Sequence, residues 1–177
     1  MIPPIKTSKI QLDKCGEFFF TYSKDLMISE KLYKNLIAQK CNLGHSAICY
    51  NQNGKKIPYY QLIPEITLPK ALTHKGFRQG EHCPVCKRNN YGRIDLFREG
   101  TGIGFEDIEF SYPKKLINEI AGHDILYTYE CVFNSIISPA GEIKVLPRPF
   151  ILVSDRFKKV LQGHGLKYIE YWPVKFK

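Results

Sequence analysis

Catalytic signatures are what this chain most lacks. It contains no His-Glu-x-x-His and no Gly-x-Ser-x-Gly, which excludes a zincin helix and a nucleophile elbow. The glycines of "REGTGIGFED" are followed by no Lys-Ser/Thr and sit in no strand-turn-helix context, which excludes a phosphate loop. Histidines at 45, 74, 82, 123 and 164 form no recognisable pair, and "GHD" and "GHG" read as helix ends. No apolar run approaches the ~20 residues of a membrane span; the longest are Phe18 to Phe20 and Phe150 to Val153. The opening "MIPPIKTSKIQLDKCG" has no apolar segment of the secretory kind, so a soluble cytoplasmic protein is expected. In that compartment six cysteines are expected as thiols or metal ligands, not disulfides.

What the chain does contain suits a globular protein. Hydrophobic residues make up 44% and aromatics 13%, enough for a packed core in 177 residues. The net charge of +9 is uneven. Residues 1 to 40 hold seven Lys against four acids, residues 41 to 54 hold no formal charge, and residues 55 to 98 hold nine bases against three acids. Residues 99 to 142 invert the balance, with eight acids against two Lys, and residues 143 to 177 return to eight bases against two acids. Basic segments 55–98 and 143–177 can meet a phosphate backbone, although neither an RNP-like motif nor a recognition helix accompanies them. Oppositely charged segments can equally attract each other or face water.

A repeat organises the sequence. "DLMISEKLYKNL" (25–36) and "FILVSDRFKKVL" (150–161) share three apolar residues, Ser, an acid, a base, a large apolar residue, Lys and Leu. Each reads as a short strand running into a helix. Ser29 and Ser154 are the expected N-caps, and Glu30 and Asp155 place negative charge at the positive end of each helix dipole. Gly163 and Gly165 stop the second helix, and strand-like "HSAICY" and "KYIEYWPV" follow the two copies. Elsewhere a hairpin is expected around Asn53-Gly54, a helix over "SYPKKLINEIAG", a strand over "DILYTYECVFNSII", and turns at "SPAGE" and "LPRP". The expected fold is α+β, with two similar small strand-helix-strand lobes. Their bounds are 1–80 and 99–177, joined by a Cys-x-x-Cys knuckle linker at 81–98.

That linker carries the clearest chemistry. In "EHCPVCKR" the Cys83–Cys86 spacing aims two sulfurs at one point, half of a tetrahedral zinc site. "LDKCG" has the form of a second knuckle with Leu12 in place of its first Cys, which makes Cys15 the third ligand. His82, His74, Cys49 or Cys41 could complete four. Lys87 stands where a knuckle would place Gly, the residue that lets the backbone turn toward the sulfur. A redox pair at Cys83 and Cys86 fits less well, because the preceding "KGFRQGEH" is polar and not a buried strand. Cys41, Cys49 and Cys131 lie among Leu, Ile, Val and Phe and read as small core residues.

The damaged "LDKCG", the Ser-acid-base helix starts, "HCPVCKR" and the ending "ILVSDRFKKVLQGHGLKYIEYWPV" together resemble a bacterial family. This is the double-CxxCG motif family, with related immunity proteins of polymorphic toxin systems. The resemblance implies a non-catalytic protein that binds and neutralises a cognate protein toxin. It also implies a zinc site, which the departures at Leu12 and Lys87 leave degenerate. Acidic residues Glu99, Glu106, Asp107 and Glu109, beside Gly-rich backbone, are the expected binding surface for a basic toxin. The competing expectation is a zinc-knuckle protein that binds nucleic acid through segments 55–98 and 143–177.

Overall fold

The computed structural model describes residues 6–7, 16–21, 25–51, 53–82, 87–93, 109–137, 143–166, 169 and 171–177. Strands β1 (Lys6–Thr7), β2 (Phe18–Phe20) and β3 (Leu26–Ser29) lead into helix α1 (Glu30–Ala38), then β4 (His45–Asn51) and β5 (Lys56–Ile63). Next come β6 (Thr73–Lys75), β7 (Phe77–His82), β8 (Asn89–Arg93), β9 (Glu109–Tyr112) and α2 (Leu116–Ile120). Long strands β10 (Ile125–Ile137) and β11 (Ile143–Val153) precede α3 (Asp155–Gly163) and β12 (Val174–Phe176). The fold is mixed α+β with three sheets, ordered β1-β4-β5-β3-β2, β11-β10-β8-β7 and β12-β9-β6. No helix among the described residues is long and apolar enough to cross a membrane.

By packing, the chain divides into two discontinuous units. Met1–Glu65, Gly122–Leu126 and Val153–Ile169 form the first; Ile66–Ala121, Tyr127–Leu152 and Glu170–Lys177 form the second. Both helices of the sequence repeat belong to the first unit, so the repeat builds a helix pair within one body and not one helix per lobe. The expected linker 81–98 is described only at 81–82 and 87–93, where it supplies parts of the β7–β8 hairpin.

The first unit is a sheet with helices on one face. Leu26, Met27 and Ile28 in β3 are all buried, though successive strand residues point to opposite faces, so this strand is covered on both sides. Leu32 and Leu36 of α1 and Phe157 and Leu161 of α3 are buried as well. Phe157 meets Phe18 edge-on at 6.4 Å between ring centroids. On the far face Met27, Cys49, Ile57 and Tyr59 cluster with Phe19. Each such side chain contributes about 2 kcal/mol through burial.

The two helices match at both ends. The hydroxyl of Ser29 accepts from the Leu32 amide, and that of Ser154 from the Phe157 amide, each at 3.1 Å. At the other end, the Cys41 amide donates to the Leu36 carbonyl (2.9 Å) and the Lys40 amide to the Ile37 carbonyl (2.8 Å). Leu166 donates to Leu161 (3.4 Å) and Gly165 to Gln162 (2.9 Å) in the same pattern, a Schellman closure at each helix. The closure needs a left-handed residue. Gly165 takes it at φ 70°, and Lys40 takes it at φ 56° despite its side chain.

Several expectations need amending. The hairpin forms as expected: β4 and β5 are antiparallel, and the Asn51 side chain caps the turn by accepting from the Asn53 and Lys55 amides. The strand over 125–137 forms too. "LPRP" is not a turn but part of β11. That strand ends its sheet, a place where prolines such as Pro147 and Pro149 are tolerated. Of the strand expected over 167–174, described residues 169 and 171–173 are not strand; the strand that forms is Val174–Phe176, preceded by Pro173, whose carbonyl accepts from the Phe110 amide. The helix after Pro113 covers only Leu116–Ile120, since Ser111 and Tyr112 are drawn into β9. "SPAGE" lies outside the described residues.

Caps and closures predict graded stability changes. Ser29→Ala should cost about 1 kcal/mol in urea unfolding, and Ser154→Ala more, since Ser154 also serves a buried carboxylate described below. Lys40→Gly should instead stabilise by about 1 kcal/mol. An unchanged or lowered midpoint for Lys40→Gly would count against the left-handed closure.

Candidate functional site

Most of the residues that sequence reasoning put forward for binding fall outside the described structure. Cys15, Cys83, Cys86, Glu99, Glu106 and Asp107 are among them. His82 ends β7 in register with Asn89 of β8, and only its backbone is described; the same holds for His74, opposite Phe110. Glu109 opens β9, where its carboxylate pairs with Lys175 and, at 3.7 Å, with Lys177. The hydrogen bond from Lys175 is the chief cause that holds the Glu109 carboxyl below its ordinary range. Cys41, Cys49 and Cys131 are buried, as expected of core residues. Burial pushes the Cys49 thiol up to about 11, which keeps it protonated and unreactive at neutral pH.

One piece of the knuckle can be read. Cys83 and Cys86 fall in the connection between antiparallel β7 and β8, and Lys87, the residue just after Cys86, has φ 58°. That is the left-handed conformation for which a knuckle uses Gly, so Lys87 takes the backbone shape despite its side chain. Among the described residues no group of three His, Cys, Asp or Glu is placed to hold a metal.

The described residues do assemble a groove, in the first unit, between α1 and α3. Asn42, just past α1, and Ser154, the cap of α3, share the Asp124 carboxylate; the α1 residue Asn35 meets His164 at the end of α3. The helices therefore run antiparallel. From α1 and its C-cap the groove takes Lys31, Asn35, Ala38 and Gln39; from α3 and its C-cap it takes Arg156, Lys159, Val160, Gly163 and His164. Its volume is about 790 Å³, and it is open to solvent. Ala38 and Gly163 are the smallest residues of its lining.

A carboxylate pins each end. At one end Asp124, 3% exposed, accepts from the Asn42 amide at 2.7 Å, from the Ser154 hydroxyl, and from Arg156 at 2.5 and 3.2 Å. Burial opposes the Asp124 charge, but the bonds from Arg156, Ser154 and the Asn42 backbone outweigh it and hold the carboxyl below its ordinary value. At the other end Glu17 contacts His164 Nδ1 at 2.5 Å and Lys31 at 3.7 Å, while His164 Nε2 lies 2.6 Å from the Asn35 amide nitrogen. "GHG" thus ends α3, as read from sequence, and its His also ties the helix to α1.

On the other flank of α1 lies an aromatic and aliphatic patch. Tyr33 stacks on Tyr60 with centroids 4.0 Å apart, and the Tyr33 hydroxyl bonds to Ser46 at 3.1 Å. Ile48 is the cross-strand partner of Tyr60 and is 36% exposed; Ile37, one turn beyond Tyr33, is 48% exposed. Glu30 sits at the rim, holding Lys34 at 3.2 Å and Lys56 at 3.5 Å. Neither this patch nor Asp124 is visible in a motif. Half-buried Tyr33 and exposed Ile37 occupy positions that helical periodicity alone assigns to the core.

Strong acid should loosen the Asp124 end. Its folded value lies below the unfolded one, so its contribution is present above about pH 4 and is lost as pH falls through the folded value. Asp124→Asn should cost about 3 kcal/mol at pH 7 and should flatten the acid limb of a stability-against-pH curve. An unaltered limb would show that Asp124 does not control acid sensitivity.

No family model matches the chain, and neither a curated protein nor a solved structure matches it. The functional reading accordingly rests on the residues themselves.

Proposed function

We propose that this protein acts by binding, as an immunity protein that occludes a cognate protein toxin, without catalysis of its own. The observation that carries the reading is the patch of exposed Ile48 and Ile37 around half-buried Tyr60 and Tyr33, with its Glu30, Lys34 and Lys56 rim. An apolar and aromatic centre ringed by charge is the anatomy of a protein–protein contact. The stacked tyrosines are already ordered by each other and by Ser46, so association orders little more of them. Glu99, Glu106 and Asp107 remain part of the proposal as a second, steering surface for a basic partner. Glu109 contributes less charge there, because Lys175 and Lys177 already pair with it.

Tyr33→Ala with Ile48→Ser should weaken association with the toxin encoded by the adjoining gene at least tenfold, and should abolish protection of cells that express it. Retained circular dichroism would separate lost binding from lost fold. Full affinity and protection would exclude the patch. Binding of nucleic acid with a steep salt dependence, and none of the toxin, would put the nucleic-acid reading in its place.

The proposal includes zinc held by Cys83 and Cys86, with Cys15 and His82 as further ligands. The left-handed Lys87 backbone immediately after the pair supports it. Bound there, zinc would supply a structural cross-link and no chemistry. Elemental analysis of protein purified without chelator should give about one zinc per chain, and Lys87→Gly should raise its affinity by relieving the left-handed strain. Metal-free protein of undiminished stability in chelator would remove zinc from the account.

A further inference from the structure

The α1–α3 groove is not part of the aromatic patch, and its chemistry is different. None of its lining residues is acidic, while Lys31, Arg156 and Lys159 supply three cations. Arg156 is engaged from behind by Asp124 and Lys31 by Glu17, yet their side chains stay 48% and 76% exposed. Lys159 has no ion-pair partner among the described residues. Between these charges Ala38 and Val160 offer apolar surface, and Asn35 and Gln39 offer amides that can pair with a peptide backbone. Phe, Tyr and Trp rings, the usual stacking platforms for single-stranded nucleic acid, are missing from the lining.

We infer that this groove receives an acidic peptide segment of the protein partner, its carboxylates meeting Lys31, Lys159 and the open edge of Arg156. The inference rests on the partner-binding reading above and adds the chemistry of what is bound. Pinning by Glu17 at one end and Asp124 at the other holds the helices apart before the partner arrives. The segment therefore enters a preformed slot, and binding costs little rearrangement of this chain. Opposite charge speeds the encounter and sets register.

Gly163 permits a steric test. A Cβ built there meets no atom within 4 Å, and its φ is not left-handed, so a larger side chain can project into open space without strain. Gly163→Trp should block the slot, and Lys31→Glu with Lys159→Glu should repel the segment. The probe is a fluorescent, end-capped twelve-residue peptide of alternating Glu and Ala, followed by anisotropy, with a single-stranded oligonucleotide of equal charge as the comparison. The peptide should bind wild-type protein in a salt-sensitive way and lose at least tenfold in affinity in both variants; Lys114→Glu with Lys115→Glu should change little. Equal peptide binding by all variants, or groove-dependent binding of the oligonucleotide alone, overturns the inference. Toxin captured equally by wild type and groove variants also overturns it and leaves the immunity reading standing. Groove-dependent peptide binding by a protein that ignores the toxin does the reverse.

Discussion

The Asp124 carboxylate is the constraint on which the first unit depends. It is almost fully removed from solvent, and such a group is tolerated only when its charge and lone pairs are met. The groups that meet it come from two distant places in the sequence: Asn42 after the first helix, and Ser154 and Arg156 at the cap and in the first turn of the last. One buried anion thereby sets where α1 ends and where α3 begins. The spacing of the two helices, and so the groove between them, follows from that connection together with the Glu17–His164–Asn35 contact at the opposite end. The second unit uses a similar device: Glu130, fully buried, accepts from the Ala71 amide at 2.7 Å and the Tyr112 hydroxyl at 3.0 Å.

The repeat has a local meaning. Two nine-residue helices with the same Ser cap, the same acidic first residue and the same Schellman closure lie antiparallel in one unit. Equivalent positions do equivalent work: Leu32 and Phe157 fill the core just past the cap, and Leu36 and Leu161 anchor each closure. Where the copies differ, the difference falls on the left-handed residue. Gly165 adopts that shape freely, whereas Lys40 is held in it by Cys41, whose buried side chain and backbone bond to Leu36 draw the chain inward.

Function, on this account, is divided across the flanks of α1. One flank offers stacked tyrosines and exposed isoleucines suited to apolar contact, and the other offers a cationic slot suited to carboxylates. A single helix that carries both, pinned at its ends, presents two chemically distinct surfaces in a constant relation. That arrangement suits recognition of one partner at two places. It also separates the energetic contribution of apolar burial from the steering and register contributed by charge.

Local chemistry was legible in the sequence. Ser29 and Ser154 announce helix starts because an N-cap bond spans only three residues, and Asn53-Gly54 announces a hairpin because the turn is satisfied within itself. The buried character of Cys41, Cys49 and Cys131 was readable from their apolar neighbours. Whatever depends on distant segments was not readable. Pro147 and Pro149 read as a turn until the sheet order placed their strand at an edge, where prolines are tolerated. Tyr33 and Ile37 have the periodicity of core residues, yet they stay partly exposed, since no element is seen to cover that part of the sheet among the described residues. Asp124 resembles any loop acid until Asn42, Ser154 and Arg156 converge on it across 82, 30 and 32 positions of chain. Caps, turns and hydrophobic character are short-range properties that sequence alone determines. The pairing of the two helices and the slot between them arise only when folding brings together groups whose separation along the chain carries no pattern.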